Sequence, residues 1–320
     1  MSVQTAPEGA TKTNPFLPAN PALERRRAWE NRFATGLVTA AFVLAMIPLF
    51  SLLWVAISHG IKRLSPYFLS VSMNGVYGGM DAGGIYHAII GTLLITGWAT
   101  IISVPIGIFT AIYLVEYGNN SRLARMTTFF VDVMTGIPSI VAGLFAAAAF
   151  HLLVGPGYRA GIMGAVALSV LMIPTVVRSS EEMLRLVPNE LREASYALGV
   201  PKWLTIVKVV LRTAATGLTT SVMLAIARVI GETAPLLITV GVLDKINNNV
   251  FSGRMMTLPV FVYREYSQGL VPCRPDQVDC ITTINYDRAW AAALVLIIIV
   301  MGLNLIARLV AYLFAPKGRV

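Results

Sequence analysis

The sequence predicts an all-α membrane protein with six transmembrane helices, and three observations carry that prediction. Of its 320 residues, 56% are hydrophobic and 13% charged, with a mean hydropathy of +0.70. A soluble domain does not reach that balance. Six apolar runs, 34–58, 86–115, 129–153, 160–177, 213–243 and 289–314, are each long enough to cross about 30 Å of hydrocarbon. The net charge of +9 is the third: in such a chain it reflects lysine and arginine held on the cytoplasmic side rather than nucleic-acid binding.

The elements follow in order. Residues 1–33 are rich in Ala, Pro, Thr and Asn without apolar periodicity and read as a cytoplasmic N-terminal extension. The run 34–58 starts too late and is too long for a signal-peptide core, so it is expected to stay as the first helix. An even number of spans puts both termini on one side. Counting Lys12, Arg25, Arg26, Arg27 and Arg32 with Arg308, Lys317, Arg319 and the segments 116–128 and 178–212 makes that side about twice as basic as the other. Both termini are therefore expected in the cytoplasm, with residues 34–320 forming the membrane domain.

The loop 244–288 then lies outside, polar with scattered aromatics at Phe251, Tyr263, Tyr266 and Tyr286. Membrane-surface anchoring and docking of an external partner both fit it. Its cysteines, Cys273 and Cys280, are the only two in the chain. A structural disulfide suits an oxidising exterior; two free thiols remain open, and a metal site lacks the usual four ligands.

The third run is interrupted at Thr135-Gly-Ile-Pro-Ser139 and the fifth at Gly231 and Pro235. Paired interruptions in spanning helices often surround a transport site, which makes Thr135 and Ser139 candidate polar lining. Arg228 and Glu232, four residues apart in the fifth run, are the strongest signal. A charge at mid-bilayer costs roughly 2.5–3.5 kcal/mol even on mild scales and usually faces a substrate path. Asp132 reads as a hydrated or gating carboxylate, Arg178 as an interfacial charge, and His59, His87 and His151 as loop or interface residues.

Between the fourth and fifth runs, residues 188–199 read as a short helix too polar to span. Pro188 and Asn189 suit its start, Glu190 its first turn, and Gly199 with Pro201 its stop. Its exposed face is expected to carry Ala194, Ser195, Ala197 and Leu198. An ordinary amphipathic helix resting on lipid is the alternative.

Here a resemblance enters. Glu193-Ala194-Ser195, three residues, Gly199, nine residues, then Val209-Val210-Leu211 matches in spacing the coupling motif of bacterial ABC importer permeases. Ser195, Val209 and Arg212 depart from that motif's Ala, Ile and Pro. Within that family, the run Gly231-Glu-Thr-Ala-Pro-Leu-Leu237 resembles the fifth-helix signature of phosphate importer permeases of the PstA type. The likeness covers roughly residues 86–314.

The resemblance implies a type I importer permease fold with a cytoplasmic coupling helix at 188–199, in which Glu193, Ala194, Ser195 and Gly199 meet the ATPase. It implies Arg228, Glu232 and Thr233 on the path of inorganic phosphate. It further implies a PstC-type permease partner, a PstB-type ATPase pair that binds ATP and magnesium, an external phosphate-binding protein and a PhoU-type regulator. The chain itself has no Gly-x-x-x-x-Gly-Lys-Ser/Thr run, nucleophile elbow or metal-ligand cluster, so no enzymatic activity and no cofactor of its own is expected.

The chemistry stands beside the resemblance. The planar guanidinium of Arg228 suits the delocalised charge of an oxyanion better than an ammonium does. Glu232 has two roles open to it: pairing with Arg228 one helical turn away while the path is empty, or accepting a bond from the proton that phosphate, unlike sulfate, still carries. A permease for sulfate or molybdate, or a gradient-driven anion transporter, are the alternative functions.

Overall fold

A computed structural model describes residues 21–118, 121–273 and 279–314. Among them there is no named strand, only one isolated antiparallel bridge between Met80 and Cys280. Five helices are long and apolar enough to span a bilayer, or six if one bent pair counts as a single span.

The chain divides into two units, Met1–Val55 and Ala56–Val320. The first is occupied by most of α1 (Pro21–Gly60). Residues 21–33, expected within an irregular extension, are helical: Pro21 sits in the first turn, where its missing N–H costs nothing, and Arg26 pairs with Glu30 one turn on at 2.8 Å. Residues 1–20 lie outside the described part. The apolar side chains of this stretch, among them Leu37, Phe42 and Leu52, are exposed all round, as lipid-facing surface would be.

In the second unit α2 (Pro66–Ser70) precedes α3 (Tyr86–Ile112), which ends in a widened π turn, Tyr113–Tyr117. Then come α4 (Arg122–Thr135), α5 (Ser139–Leu153), α6 (Gly161–Arg185) and α7 (Asn189–Ala197). A continuous helical run follows, made of α8 (Lys202–Thr205), a second π turn (Ile206–Val210) and α9 (Leu211–Val229). The short α10 (Ala234–Thr239), α11 (Leu258–Gln268) and α12 (Ile284–Phe314) complete the unit.

The centre of this unit is α6, buried along two thirds of its apolar window and packed against α3, α5 and α9. Small residues let the backbones close up. A Cβ on Gly107 of α3 would stand 2.6 Å from Val176 of α6, and one on Gly164 of α6 would stand 2.3 Å from Val240. Without a hydrophobic force between helices in lipid, such close approach is what holds a bundle together.

Two further spans differ from the sequence expectation. The third is two helices, α4 and α5, bent by 108°, because Pro138 cannot continue α4 and instead opens α5 as its N-cap. The fifth starts at Lys202 rather than 213. Arg212 stands where the motif has proline, so nothing breaks the helix there, and the π turn absorbs the register. It also ends at Val229, well before 243.

The segment 244–288 is more than a polar loop. Leu258, Pro259, Val260 and Phe261 of α11 are buried, with Phe261 in the main core. The Leu258 N–H donates to Thr92 Oγ1 of α3 at 2.8 Å, and a Cβ on Gly91 would meet the Met256 carbonyl at 1.9 Å. His87, expected at an interface, is buried edge-on to Phe261 with ring centroids 5.8 Å apart. Arg288 at the start of α12 is only 2% exposed. It donates to the Met80 and Ala82 carbonyls at 2.8 and 2.9 Å and faces Glu265 at 3.7 Å. Cys273 and Cys280 are joined, with Cα atoms 5.7 Å apart. The segments before α3 and before α12 are thus stitched together.

Candidate functional site

Arg228 lies in the last turn of α9. Its Nη1 donates to Thr175 Oγ1 at 3.2 Å, and Thr175 is two residues past the midpoint of the 25-residue α6. A helix of that length crosses the hydrocarbon, so the guanidinium lies against a spanning helix. It is exposed on the surface of the chain. Among the described residues no carboxylate comes within 4.0 Å of it. The pairing of Arg228 with Glu232 in an empty path is therefore not what the structure shows.

The reason is local. The i,i+4 relation presupposes a continuous helix, and α9 stops at Val229 with Ile230 as its cap. Glu232 falls in the break, half-buried, its N–H donating to the Val229 carbonyl at 3.1 Å. Thr233 caps α10 through its backbone, its carbonyl accepting from Leu237 N–H at 3.0 Å. Pro235 occupies the first turn of α10, where no N–H is needed.

The other break is brought against this one. A Cβ on Gly143, one turn into α5, would stand 2.7 Å from Pro235 Cα, so α5 and α10 touch backbone to backbone near both their N-terminal ends. Ser139, half-buried, opens α5 beside this contact. Thr135 does not join it: it is exposed at the end of α4, its hydroxyl donating to the Asp132 carbonyl at 2.6 Å.

Asp132 is not simply hydrated either. Arg178 of α6 bonds it directly and also holds Glu181 at 2.9 Å, which in turn pairs with Arg185 at 2.8 Å. This ion network ties α4 to α6. Beside it is a cavity of about 510 Å³ lined by Leu114, Arg125, Thr128, Glu181 and Arg185 among others.

The helix α7, expected in the cytoplasm, is shorter than expected by a residue or two at each end. Gly199 takes φ of +77°, which glycine adopts without a Cβ penalty. It forms a paired C-terminal cap: Val200 N–H to the Ser195 carbonyl at 3.2 Å and Gly199 N–H to the Tyr196 carbonyl at 2.9 Å. Glu193, Ala194, Ala197 and Leu198 are exposed. Ser195 is not. It is 8% exposed, and its hydroxyl meets Thr205 Oγ1 of α8 at 2.9 Å, so it anchors the helix instead of contributing to its outer face.

Thr175 and Thr205, which bond the candidate residues Arg228 and Ser195, are positions the sequence did not point to. Each owes its place to a contact across the fold. Only Thr175, one residue after Pro174, carried any local signal.

Spanning helices, two of them interrupted and in contact at Gly143 and Pro235, with a cation in the last turn of α9 and an exposed polar helix α7, are an arrangement that suits a membrane permease. Residues 103–320 match the family described as the binding-protein-dependent transport system inner membrane component. The chain belongs to that family, on its PstA branch. It is 44% identical over 298 residues to the phosphate transport system permease protein PstA 1 of Mycobacterium tuberculosis, covering 93% of this chain and 92% of that one. It is 36% identical to the PstA protein of Pasteurella multocida, over 85% of this chain and 92% of the relative.

Solved structures agree on the fold. The inward-facing MetNI methionine ABC transporter superposes with a TM-score of 0.55 at 17% identity, covering 79% of this chain and all of that one. A bacterial alginate ABC transporter, solved with an alginate pentasaccharide-bound periplasmic protein, gives 0.62 at 10% identity over 94% and 100%. The type I importer permease fold is thereby established, and the chain is a multi-pass inner-membrane transport subunit.

Proposed function

We propose that this chain is the pore-forming permease subunit of an ATP-driven importer that carries inorganic phosphate into the cell. The observation that carries the reading is Arg228: a permanently charged guanidinium against the spanning helix α6 whose protein partner is a neutral hydroxyl. A cation within a membrane span that has no carboxylate beside it is costly, and an anion arriving along the path removes that cost. A guanidinium can offer two parallel N–H donors to one oxyanion.

Glu232, close along the chain but not paired with Arg228, accepts a hydrogen bond from the proton that phosphate still carries. That favours phosphate over fully ionised sulfate. Ser139 and Thr233 supply further polar groups at the two helix breaks, and Thr135 belongs to the α4 side of the path. Because Arg228 is open on the chain's surface, a second permease of the PstC type completes the cavity. A PstB-type ATPase pair, binding ATP and magnesium, meets Glu193, Ala194 and Gly199. A phosphate-binding protein docks outside, and a PhoU-type regulator acts from the cytoplasm, where both termini lie.

Reconstituted with those subunits, the chain should support ATP-dependent uptake of labelled phosphate that unlabelled phosphate suppresses and equimolar sulfate or molybdate does not. Equal competition by either would replace phosphate with another oxyanion. Uptake that persists without an ATPase subunit would favour a gradient-driven transporter.

A further inference from the structure

We propose that the Arg192–Glu116 pair is a positioning link that carries movement of the coupling helix α7 into the cytoplasmic ends of α3 and α6. The inference rests on the reading of the chain as an ATP-driven permease. It assigns the transmission to residues outside the coupling motif.

The geometry is multidentate. Arg192 Nε and Nη2 donate to Glu116 Oε1 at 3.1 and 2.9 Å. The same guanidinium donates to the Val187 carbonyl at 2.6 Å, the Leu184 carbonyl at 3.1 Å and Asn189 Oδ1 at 3.2 Å. One side chain on α7 thereby grips the end of α6 and the π turn that closes α3. Both partners are out of water, with 12% of the Arg192 side chain and 5% of the Glu116 side chain exposed. A hydrogen-bonded pair so buried does not slide in the way a surface ion pair does.

A second strap runs to the same point. Lys202, which opens α8 after the coupling helix, bonds the Glu116 carbonyl, and its Nζ lies 4.7 Å above the Tyr117 ring. Behind both straps Ala111, Leu184, Val187, Val210, Ala214 and Leu218 form one apolar cluster joining α3, α6 and α9. The π turns at Tyr113–Tyr117 and Ile206–Val210 sit where these helices leave the cluster. Such widened turns are places where a helix can change its winding.

The link leads toward the candidate site. From Glu116, α3 runs back along α6 to the contact of Gly107 with Val176. Val176 is the neighbour of Thr175, whose hydroxyl holds Arg228. A shift of α7 passed through Arg192 therefore moves the α6 turn that sets the position of the Arg228 guanidinium. A contiguous chain of contacts is only spatial intermediacy, so the test measures coupling.

The test uses the whole transporter in proteoliposomes, with Arg192→Gln, Glu116→Gln and the double variant compared with wild type for anion moved per ATP hydrolysed. We expect both single variants to assemble and hydrolyse ATP, while the transport ratio falls at least about two-fold, the low end of measured site-to-site coupling. We expect the double variant to be no worse than the poorer single variant, as a shared link requires. Arg192→Lys, which keeps the charge but loses the multidentate grip, should resemble Arg192→Gln.

An unchanged ratio in both single variants, or losses that multiply in the double variant, would overturn the proposal. Should Arg192→Gln fail to assemble, Glu116→Gln decides alone, since it leaves the carbonyl bonds of Arg192 in place. The ratio is read with whichever anion the wild-type complex transports. A wrong substrate assignment therefore leaves the test standing, and a wild-type complex that moves no anion refutes the permease reading separately.

Discussion

Replacing Gly143 with alanine forces α5 away from α10. The added Cβ would stand 2.7 Å from Pro235 Cα and 3.1 Å from both Pro235 Cβ and the Pro235 carbonyl oxygen, against about 3.5–4.0 Å for a comfortable carbon contact. The helices must separate by roughly 1 Å, because the obstructing atoms are backbone and a proline ring and cannot swing aside. Overpacking of this kind costs about 1–3 kcal/mol, partly offset by about 1 kcal/mol from removing a helical glycine.

Folding is therefore only mildly affected, and the penalty falls on the state in which the two breaks meet. If transport passes through that state, 1–3 kcal/mol corresponds to roughly a 5- to 150-fold slower uptake. The assay is labelled-phosphate uptake by the reconstituted complex, with thermal unfolding in detergent alongside. Gly97→Ala on α3 serves as the control, since a Cβ there meets nothing within 4 Å. Equal uptake by the two variants would refute the idea that close α5–α10 contact shapes the path.

The stitching of the segments before α3 and before α12 makes three further predictions. Arg288→Met leaves Glu265 unpaired and the Met80 and Ala82 carbonyls without their donor, and should lower stability by about 3–5 kcal/mol, the usual cost of breaking a buried pair from one side; thermal unfolding that matches wild type would contradict it. Reducing the Cys273–Cys280 bridge, which closes a loop of sequence separation 7, should cost about 2.5 kcal/mol by loop entropy, read as a drop in Tm under reductant that Cys273→Ser/Cys280→Ser does not show. Burial pushes the Glu265 carboxyl up from 4.5, and Arg288 only partly opposes that rise. A raised carboxyl pKa contributes stability below its ordinary value that is lost as pH rises through the folded value, so Tm should fall with pH above about 4.5 in wild type and more shallowly in Glu265→Gln; parallel profiles would remove Glu265 as the cause.

Much of the architecture was legible because bilayer physics is written in composition. The apolar runs place α3, α6, α12 and the end of α1 well, since a span must be about 20 residues of continuous apolar chain, whereas α1 begins at Pro21 rather than 34. Gly199 and Pro201 mark the end of α7 because few residues suit a left-handed cap. What failed to show was direction. Pro138 announces an interruption, but the 108° turn between α4 and α5 is fixed by Gly143 settling on Pro235, ninety-two residues later.

The same holds for side chains. Ser195 looks like a docking residue by spacing and is an anchor because Thr205 lies opposite. Arg288 reads as one more external cation until the Met80 and Ala82 carbonyls enclose it. Arg228 and Glu232 looked paired because periodicity assumed a helix that Gly231 and Pro235 had already ended.

Phosphate uptake by the Arg228→Ala complex, measured beside its ATP hydrolysis and its subunit composition, tests the central claim most directly. The account predicts an intact assembly that still hydrolyses ATP while uptake falls to background, with little recovery in Arg228→Lys because a lysine cannot offer two parallel donors. Uptake at the wild-type rate by an assembled Arg228→Ala complex would contradict it.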